Sequence, residues 1–435
     1  MLRTLQNRLW NPLGELRENS DFLSLFAGRL VTNIGDSFYF IAAMWLAYTL
    51  TGSPLYTGAV GFMSRAPSAL SFLLGPVVDR TPTRRLLVLT QLANALLVLV
   101  IPVAAAIDML SVWLLLVVLP VVTIINELVY PAQEAAVPQL VDEEHLTAAN
   151  SLISSSGQAA NIGINAVSGA LIPLVGAVSL FVVNSVSFAV AMLLFANVGR
   201  TALSTSETDP SADPTDSSAT AYVADLREAY NYVQSSLLPP FIWGSIVINL
   251  ASGIMLGVLP VYADSLGGPL AYGLLSAAFS GGAFAGFVVA STAEEYPFGK
   301  FISVSFSAAG LVYGAAIALS WLPVTLLLFS VTMVPIGIYN ILLRTVLQST
   351  VDVDLLGRVS ALLRSATSVA LPVGSAVGGS LATVIGVRST MYSLSAGLLI
   401  FGVYVAVRSD IRSLTAAAAI EGETLGLGAP SPTDD

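Results

Sequence analysis

Apolar stretches long enough to cross a bilayer alternate with short polar breaks along almost the whole chain. A hydrocarbon core of about 30 Å takes roughly 20 mostly apolar helical residues, so cutting at charged, Pro/Gly and polar breaks predicts about twelve spans. The first six run over roughly 22–49, 55–78, 86–107, 110–130, 147–174 and 176–198. The second six run over roughly 238–263, 270–292, 300–320, 322–346, 356–385 and 388–407. Residues 1–20 carry Glu15 and Glu18 and no apolar stretch, so no cleavable leader is expected and the first span is expected to be retained.

The two sets of spans match each other. Ala166–Leu171 parallels Ala376–Leu381, Val141-Asp142 meets Val351-Asp352, and Gly176 meets Gly386, all at one offset. Gly52-Ser53-Pro54-Leu55 with Gly58 parallels Gly267-Gly268-Pro269-Leu270 with Gly273 at nearly the same offset. Collinear matches of this kind predict an all-α membrane protein of two six-helix parallel repeats, with the substrate site between the halves near the midplane. The expected division is a segment 1–21, a six-helix bundle 22–200, a linker 201–236, a second bundle 237–408 and a tail 409–435. Residues 201–220, rich in Ser, Thr, Asp and Pro, read as flexible, and 221–236 as an amphipathic surface helix. The small, acidic tail is expected to be disordered.

Composition narrows the function. Of 435 residues, 55% are hydrophobic and 10% charged, against about 25% charged in soluble proteins. Mean hydropathy is +0.81. A soluble enzyme, a nucleic-acid binder and a disordered regulator are excluded. Cysteine is absent and His145 is the one histidine, so no thiolate or multi-histidine metal site is expected. Lys300 is the sole lysine and no G-x-x-x-x-G-K-[ST] loop occurs, which removes ATP hydrolysis by this chain. No cofactor is expected. The net charge of −10 comes from acids outside the apolar runs, a pattern suited to a cytoplasm of high ionic strength.

Basic residues set the orientation. Arg3, Arg8, Arg17, Arg80, Arg84, Arg85, Arg200, Arg227, Lys300, Arg344, Arg358, Arg408 and Arg412 fall on one side, and only Arg388 on the other. Both termini are therefore expected in the cytoplasm of a multi-pass cell-membrane protein.

Between the second and third spans stands Gly75-Pro76-Val77-Val78-Asp79-Arg80-Thr81-Pro82-Thr83-Arg84-Arg85. It resembles the G-x-x-x-D-R-x-G-R-R loop of the major facilitator superfamily, with Pro82 and Thr83 departing from that pattern. The resemblance implies that Gly75, Asp79, Arg80 and Arg84 form a cytoplasmic gate latch. Pro131–Val141, Leu146, Ala149-Asn150, Gln348 and Gly357-Arg358-Val359 resemble the branch holding enterobactin and macrolide exporters, as do Arg29, Gly35-Asp36 and Thr51-Gly52-Ser53. The antiporter signature of the fifth span is partial, with Ile164-Asn165 at its usual Gly-Pro and Ser168-Gly169 at its Gly-Gly.

An ionisable group at mid-span costs about 2.5–3.5 kcal/mol on insertion scales and invites a functional reading. Asp36 and Arg65 lie at similar depth and are expected to interact; Arg29 and Glu127 are a second expected pair, closing an inner gate. These four are the ion-coupling candidates. Asn33, Asn165, Asn249, Tyr339 and Asn340 are the substrate-binding candidates, since the second half has no mid-membrane acid. Gly374, Gly378 and Gly379 are expected to allow close helix packing. The function expected is a secondary active exporter of a small organic or amphipathic molecule, a monomer driven by protons or sodium and binding no nucleic acid. Uptake by symport, and a sensor or scaffold without turnover, are the alternatives.

Overall fold

The computed structural model describes residues 16–68, 81–199, 231–234, 236–351, 353–420 and 425. They form α1 (Ser20–Thr51), α2 (Pro54–Met63), α3 (Thr83–Ala106), α4 (Val112–Leu140), α5 (Leu146–Val175), α6 (Ala177–Asn197), α7 (Pro239–Val289), α8 (Phe298–Leu319), α9 (Leu322–Thr350), α10 (Val353–Ile385) and α11 (Val387–Val407). An isolated bridge between Pro297 and Ala416 is the one β-type pairing among the described residues.

Nine helices among the described residues are long and apolar enough to cross a membrane. One of them, α7, is twice a span: its 51 residues rise on the order of 75 Å. Gly267 and Gly268 (φ 139° and 75°) turn the chain within it, where the sequence places the break. Helix α5 bends by 40° near Asn165 and adds a further span. Helix α2 enters the same layer from Ser53, whose hydroxyl caps it. The described helices thus supply eleven spans, and α2 is the described start of the expected second one.

The second span departs from expectation. Residues 55–78 were expected as one run, but α2 stops at Met63, a turn covers Ser64 and Arg65, and a tight 3₁₀ turn follows at Ala66–Ser68. Pro67 lacks an N–H and disfavours helix in the residue before it, so the helix ends ahead of it. The Ser64 carbonyl, freed by the break, accepts from Thr123 Oγ1 of α4 at 3.2 Å.

Two compact units result, Met1–Pro210 with Gly268–Ala277, and Ser211–Gly267 with Ala278–Asp435. In the first, α6 packs on α1 and α3, and α1 also packs on α5. One end is laced by polar contacts: Asn19 Oδ1 accepts from Phe22 N (2.9 Å) and its Nδ2 donates to Leu140 O (2.6 Å). Asp21 Oδ1 accepts from Gly199 N at 3.0 Å. Beneath them Phe22, Leu25, Leu87, Ala136, Val137 and Phe195 form a dry core.

In the second unit, α8 packs on α9 and α11. Glycines let α7 and α10 touch backbone to backbone: a Cβ on Gly253 would strike Leu371 O, one on Gly374 Leu250 O, and one on Gly378 Ile254 O. Close packing at Gly374 and Gly378 is thus as expected.

Over 409–420 the tail departs from the disorder expected for 409–435, of which 421–424 and 426–435 lie outside the described residues. Residues 409–420 and Leu425 pack on the second unit, with Ile411, Leu414, Ala417, Ile420 and Leu425 buried. Apolar residues recur there every three positions, enough to dock a short segment. Phe298 N donates to Thr415 O (2.9 Å) and Leu237 N to Leu425 O (2.8 Å). At the tail's start Arg408 pairs with Asp410 at 2.5 Å, and its hydrogen bond lowers the exposed Asp410 carboxyl to about 2. The expected linker 201–220 and most of the amphipathic 221–236 lie outside the described residues, of which 231–234 are helical.

Candidate functional site

The first unit holds a polar core that an apolar bundle does not need. From α1 come Thr32, Asp36 and Tyr39, spaced so that one helix face carries all three. Helix α3 supplies Gln91 and Asn94, one turn apart and fully buried. Helix α4 supplies Asn126. Thr32 Oγ1 reaches Gln91 Oε1 at 3.4 Å, and Asn94 Nδ2 donates to Asn126 Oδ1 at 2.6 Å. The Asn126 side chain also bears on the Asp36 carboxyl. Polar side chains of three helices, Asn94, Asn126 and Asp36, thus gather at one place.

That gathering is incompletely satisfied. Asp36 Oδ1, Asn94 Oδ1, Gln91 Nε2 and Tyr39 OH are buried without a hydrogen-bond partner among the described residues. A buried polar atom left unpaired costs roughly 1–3 kcal/mol. Such a cluster suits groups that exchange partners, protons or water during a cycle.

The expected pair Asp36–Arg65 does not form. Arg65 stands at the break after α2, its guanidinium 4.7 Å from the Phe40 ring centroid, while Asp36 has Asn126 beside it. The second expected pair also fails. Glu127 accepts from Ser68 Oγ just beyond the break, and the acid acting on Arg29 is Glu134, two turns further along α4. Ending α2 at Met63 moves Arg65 off the register of a continuous helix, and along α4 it is Glu134, not Glu127, that bears on Arg29. Tyr130, which the sequence reading passed over, lies within electrostatic reach of Arg29, Asp36, Arg65 and Glu127 together.

Of the latch candidates, Gly75, Asp79 and Arg80 lie outside the described residues. Arg84, at the start of α3, donates to Ala196 O and, at 2.9 Å, to Val198 O. It thus satisfies carbonyls left free at the C-terminus of α6.

The proposed substrate contacts separate. Asn33 is half-buried, its Nδ2 beside Gly157. Asn165 is buried, and its carbonyl meets the position of a Cβ on Gly273, so α5 and the 268–277 segment touch closely there. Asn249 Nδ2 donates to Ser245 O (2.9 Å) on its own helix, and Asn340 is exposed. Tyr339 is core rather than lining: it is 1% exposed, stacks on Phe298 and donates to Phe241 O at 3.1 Å. Its aromatic ring and neighbours Phe306 and Phe401 explain that burial. His145, in the connection between α4 and α5, has a side chain only 13% exposed. Trp113 and Trp321 are exposed near helix starts, as interfacial anchors are, whereas Trp45 is buried against Tyr272.

Among known families, the one described as transmembrane secretion effector matches residues 10–425. The chain is 26% identical over 380 residues to the uncharacterized MFS-type transporter YvqJ of Bacillus subtilis, covering 84% of this chain and 87% of that one. It is 25% identical over 414 residues to the multidrug efflux pump Tap of Mycolicibacterium fortuitum, covering 91% and 97%. In fold it is similar to a mutant of the nucleoside transporter NupG (TM-score 0.71, 10% identity, 89% and 99% covered). A bacterial homologue of the lysosomal transporter Spinster, solved inward-facing and unoccupied, gives a TM-score of 0.67 at 14% identity, with 95% and 98% covered.

Proposed function

Because this chain belongs to the transmembrane secretion effector family of the major facilitator superfamily, we propose that it exports a small organic or amphipathic molecule by proton antiport, through rocker-switch alternating access. That it is an integral membrane transporter and not an enzyme follows from the family itself. Export is the direction favoured by its likeness to an efflux pump. The cell membrane, cytoplasmic termini and a monomeric state complete the reading, the orientation resting on the one-sided basic residues.

The observation that carries the coupling is Asp36. It lies mid-way along α1 beside Asn126, with its Oδ1 buried and unpartnered. An ionised carboxylate in that setting is costly, whereas a protonated one gains a donor for the free position. Alternate loading of Asp36 by a proton, and release when the surroundings change, is the coupling step. Arg29, Glu127, Glu134 and Tyr130 form the charged gate below it, and Gly75, Asp79, Arg80 and Arg84 the latch.

Reconstituted vesicles test this directly. With a pH gradient imposed, wild-type protein should accumulate amphipathic dyes, and Asp36→Asn should lose accumulation while keeping downhill exchange. Accumulation by Asp36→Asn equal to wild type across acidic and alkaline pH removes Asp36 from coupling. Dependence on a sodium gradient alone removes the proton.

A further inference from the structure

Arg65 is the unexplained charge of the first unit. Arg65 keeps exposed surface although it lies on a membrane-embedded segment. It is turned toward the interior of the bundle, over Phe40 of α1 and within electrostatic reach of Tyr130 of α4 and of Tyr272. Among the described residues it has no ion pair and no side-chain hydrogen bond. Of the acids nearby, Glu127 is engaged by Ser68, and Asp36 has Asn126 rather than Arg65 beside it. Backbone that leaves the helix inside a bilayer persists where it lines a cavity, and interrupted spans mark binding sites in transporters. The break at Ser64 and Arg65 is such a place, its loose carbonyl tied down by Thr123.

The neighbours define what a ligand would meet. Phe40 is half-buried and Tyr130 is 40% exposed, so both offer aromatic faces beside the guanidinium. Trp45 and Tyr272, stacked with centroids 6.2 Å apart, back the same region with a rigid wall. A planar guanidinium presents a fork of donors that matches a carboxylate, and its other face is already stacked on a ring.

We propose that Arg65 is the anion-recognition residue of the substrate site, and that the substrates are amphipathic organic anions: an aromatic or apolar body bearing one carboxylate-like group. This rests on the reading of the chain as a transporter and adds the charge class of its cargo. The anionic group docks on the Arg65 guanidinium, and the apolar body lies along Phe40 and Tyr130. Asp36 stays with its own polar cluster, so cargo and proton occupy separate groups.

Three probes of nearly one shape test the charge class on the purified full chain: 2-naphthoate, neutral 2-naphthamide and cationic 2-naphthamidinium. Calorimetric titration should show 2-naphthoate bound more tightly than either of the others. Arg65→Gln should weaken 2-naphthoate by about tenfold or more, the scale of losing charge-assisted hydrogen bonds. The same variant should leave 2-naphthamide within about twofold, and Arg65→Lys should recover part of the loss. Wild-type preference for the amide or the amidinium, no binding of 2-naphthoate, or a loss shared equally by all three probes in Arg65→Gln overturns the proposal. Binding without gradient-driven dye accumulation would sink the transport reading and leave anion recognition standing. Dye accumulation with no 2-naphthoate binding would do the reverse.

Discussion

Gly176 and Gly386 hold the same unusual backbone conformation, φ 80° and ψ 154° in one, φ 85° and ψ 156° in the other. Each forms the one-residue joint between consecutive spans, α5 to α6 and α10 to α11. Only glycine occupies this region readily, because a Cβ there clashes with its own backbone. Nothing lies within 4 Å of a Cβ at either site, so the constraint is purely conformational. Gly176→Ala and Gly386→Ala should each destabilise the protein by about 1–3 kcal/mol. Thermal unfolding in detergent checks this, and the two losses should be similar.

The polar cluster around Asp36 predicts a graded response. Asn126→Leu strands Asn94 and takes the polar neighbour from Asp36, and should cost about 1–3 kcal/mol for the buried groups left unpaired. Asn94→Leu removes only the bond to Asn126 and should cost about 1 kcal/mol. Gradient-driven dye flux should fall in the same order, Asn126→Leu further than Asn94→Leu. Equal flux in Asn126→Leu and wild type would separate the cluster from transport.

Arg84 anchors the end of α6 through two carbonyls. Arg84→Ala should lower the unfolding temperature, a loss of about 1–3 kcal/mol for charge-assisted bonds, and Arg84→Lys should restore part of it. Asp79→Asn, by contrast, should leave the unfolding temperature unchanged and reduce flux. Matching effects in the two variants would mean that the latch and the α6 anchor are one device.

Tyr339→Phe removes two buried hydrogen bonds, to Phe241 O and to Ser245 Oγ, each 3.1 Å. Its stability should drop by about 1–2 kcal/mol, while the affinity for transported dyes stays at the wild-type value. A changed affinity with unchanged stability would return Tyr339 to the substrate site.

Periodic apolar length made the spans legible, and collinear Gly-containing strings made the repeat legible: Gly176 with Gly386 is the clearest case. Mid-span charges were legible as positions but not as partners. Whether Asp36 meets Arg65 depends on helix register, and one proline at position 67 broke that register. Gln91, Asn94 and Asn126 carry no charge, and along the chain nothing separates them from amides that bond only within their own helix. Their alignment with Asp36 across three helices appears only after folding. A search for Asn and Gln at the depth of Asp36 on neighbouring spans would have found them. Tyr339 misled for the opposite reason, since a phenol at mid-span reads equally as cargo contact and as core.

The segment Gly268–Ala277 packs with the first unit although the chain on both sides of it belongs to the second. Where it meets α5, Gly273 and Gly169 touch as bare backbones, with no side chains to interlock. A methyl group added to either glycine would drive into the other backbone, so this contact exists only because both positions lack a side chain. Gly267 and Gly268, with φ 139° and 75°, make the turn by which the chain enters the segment.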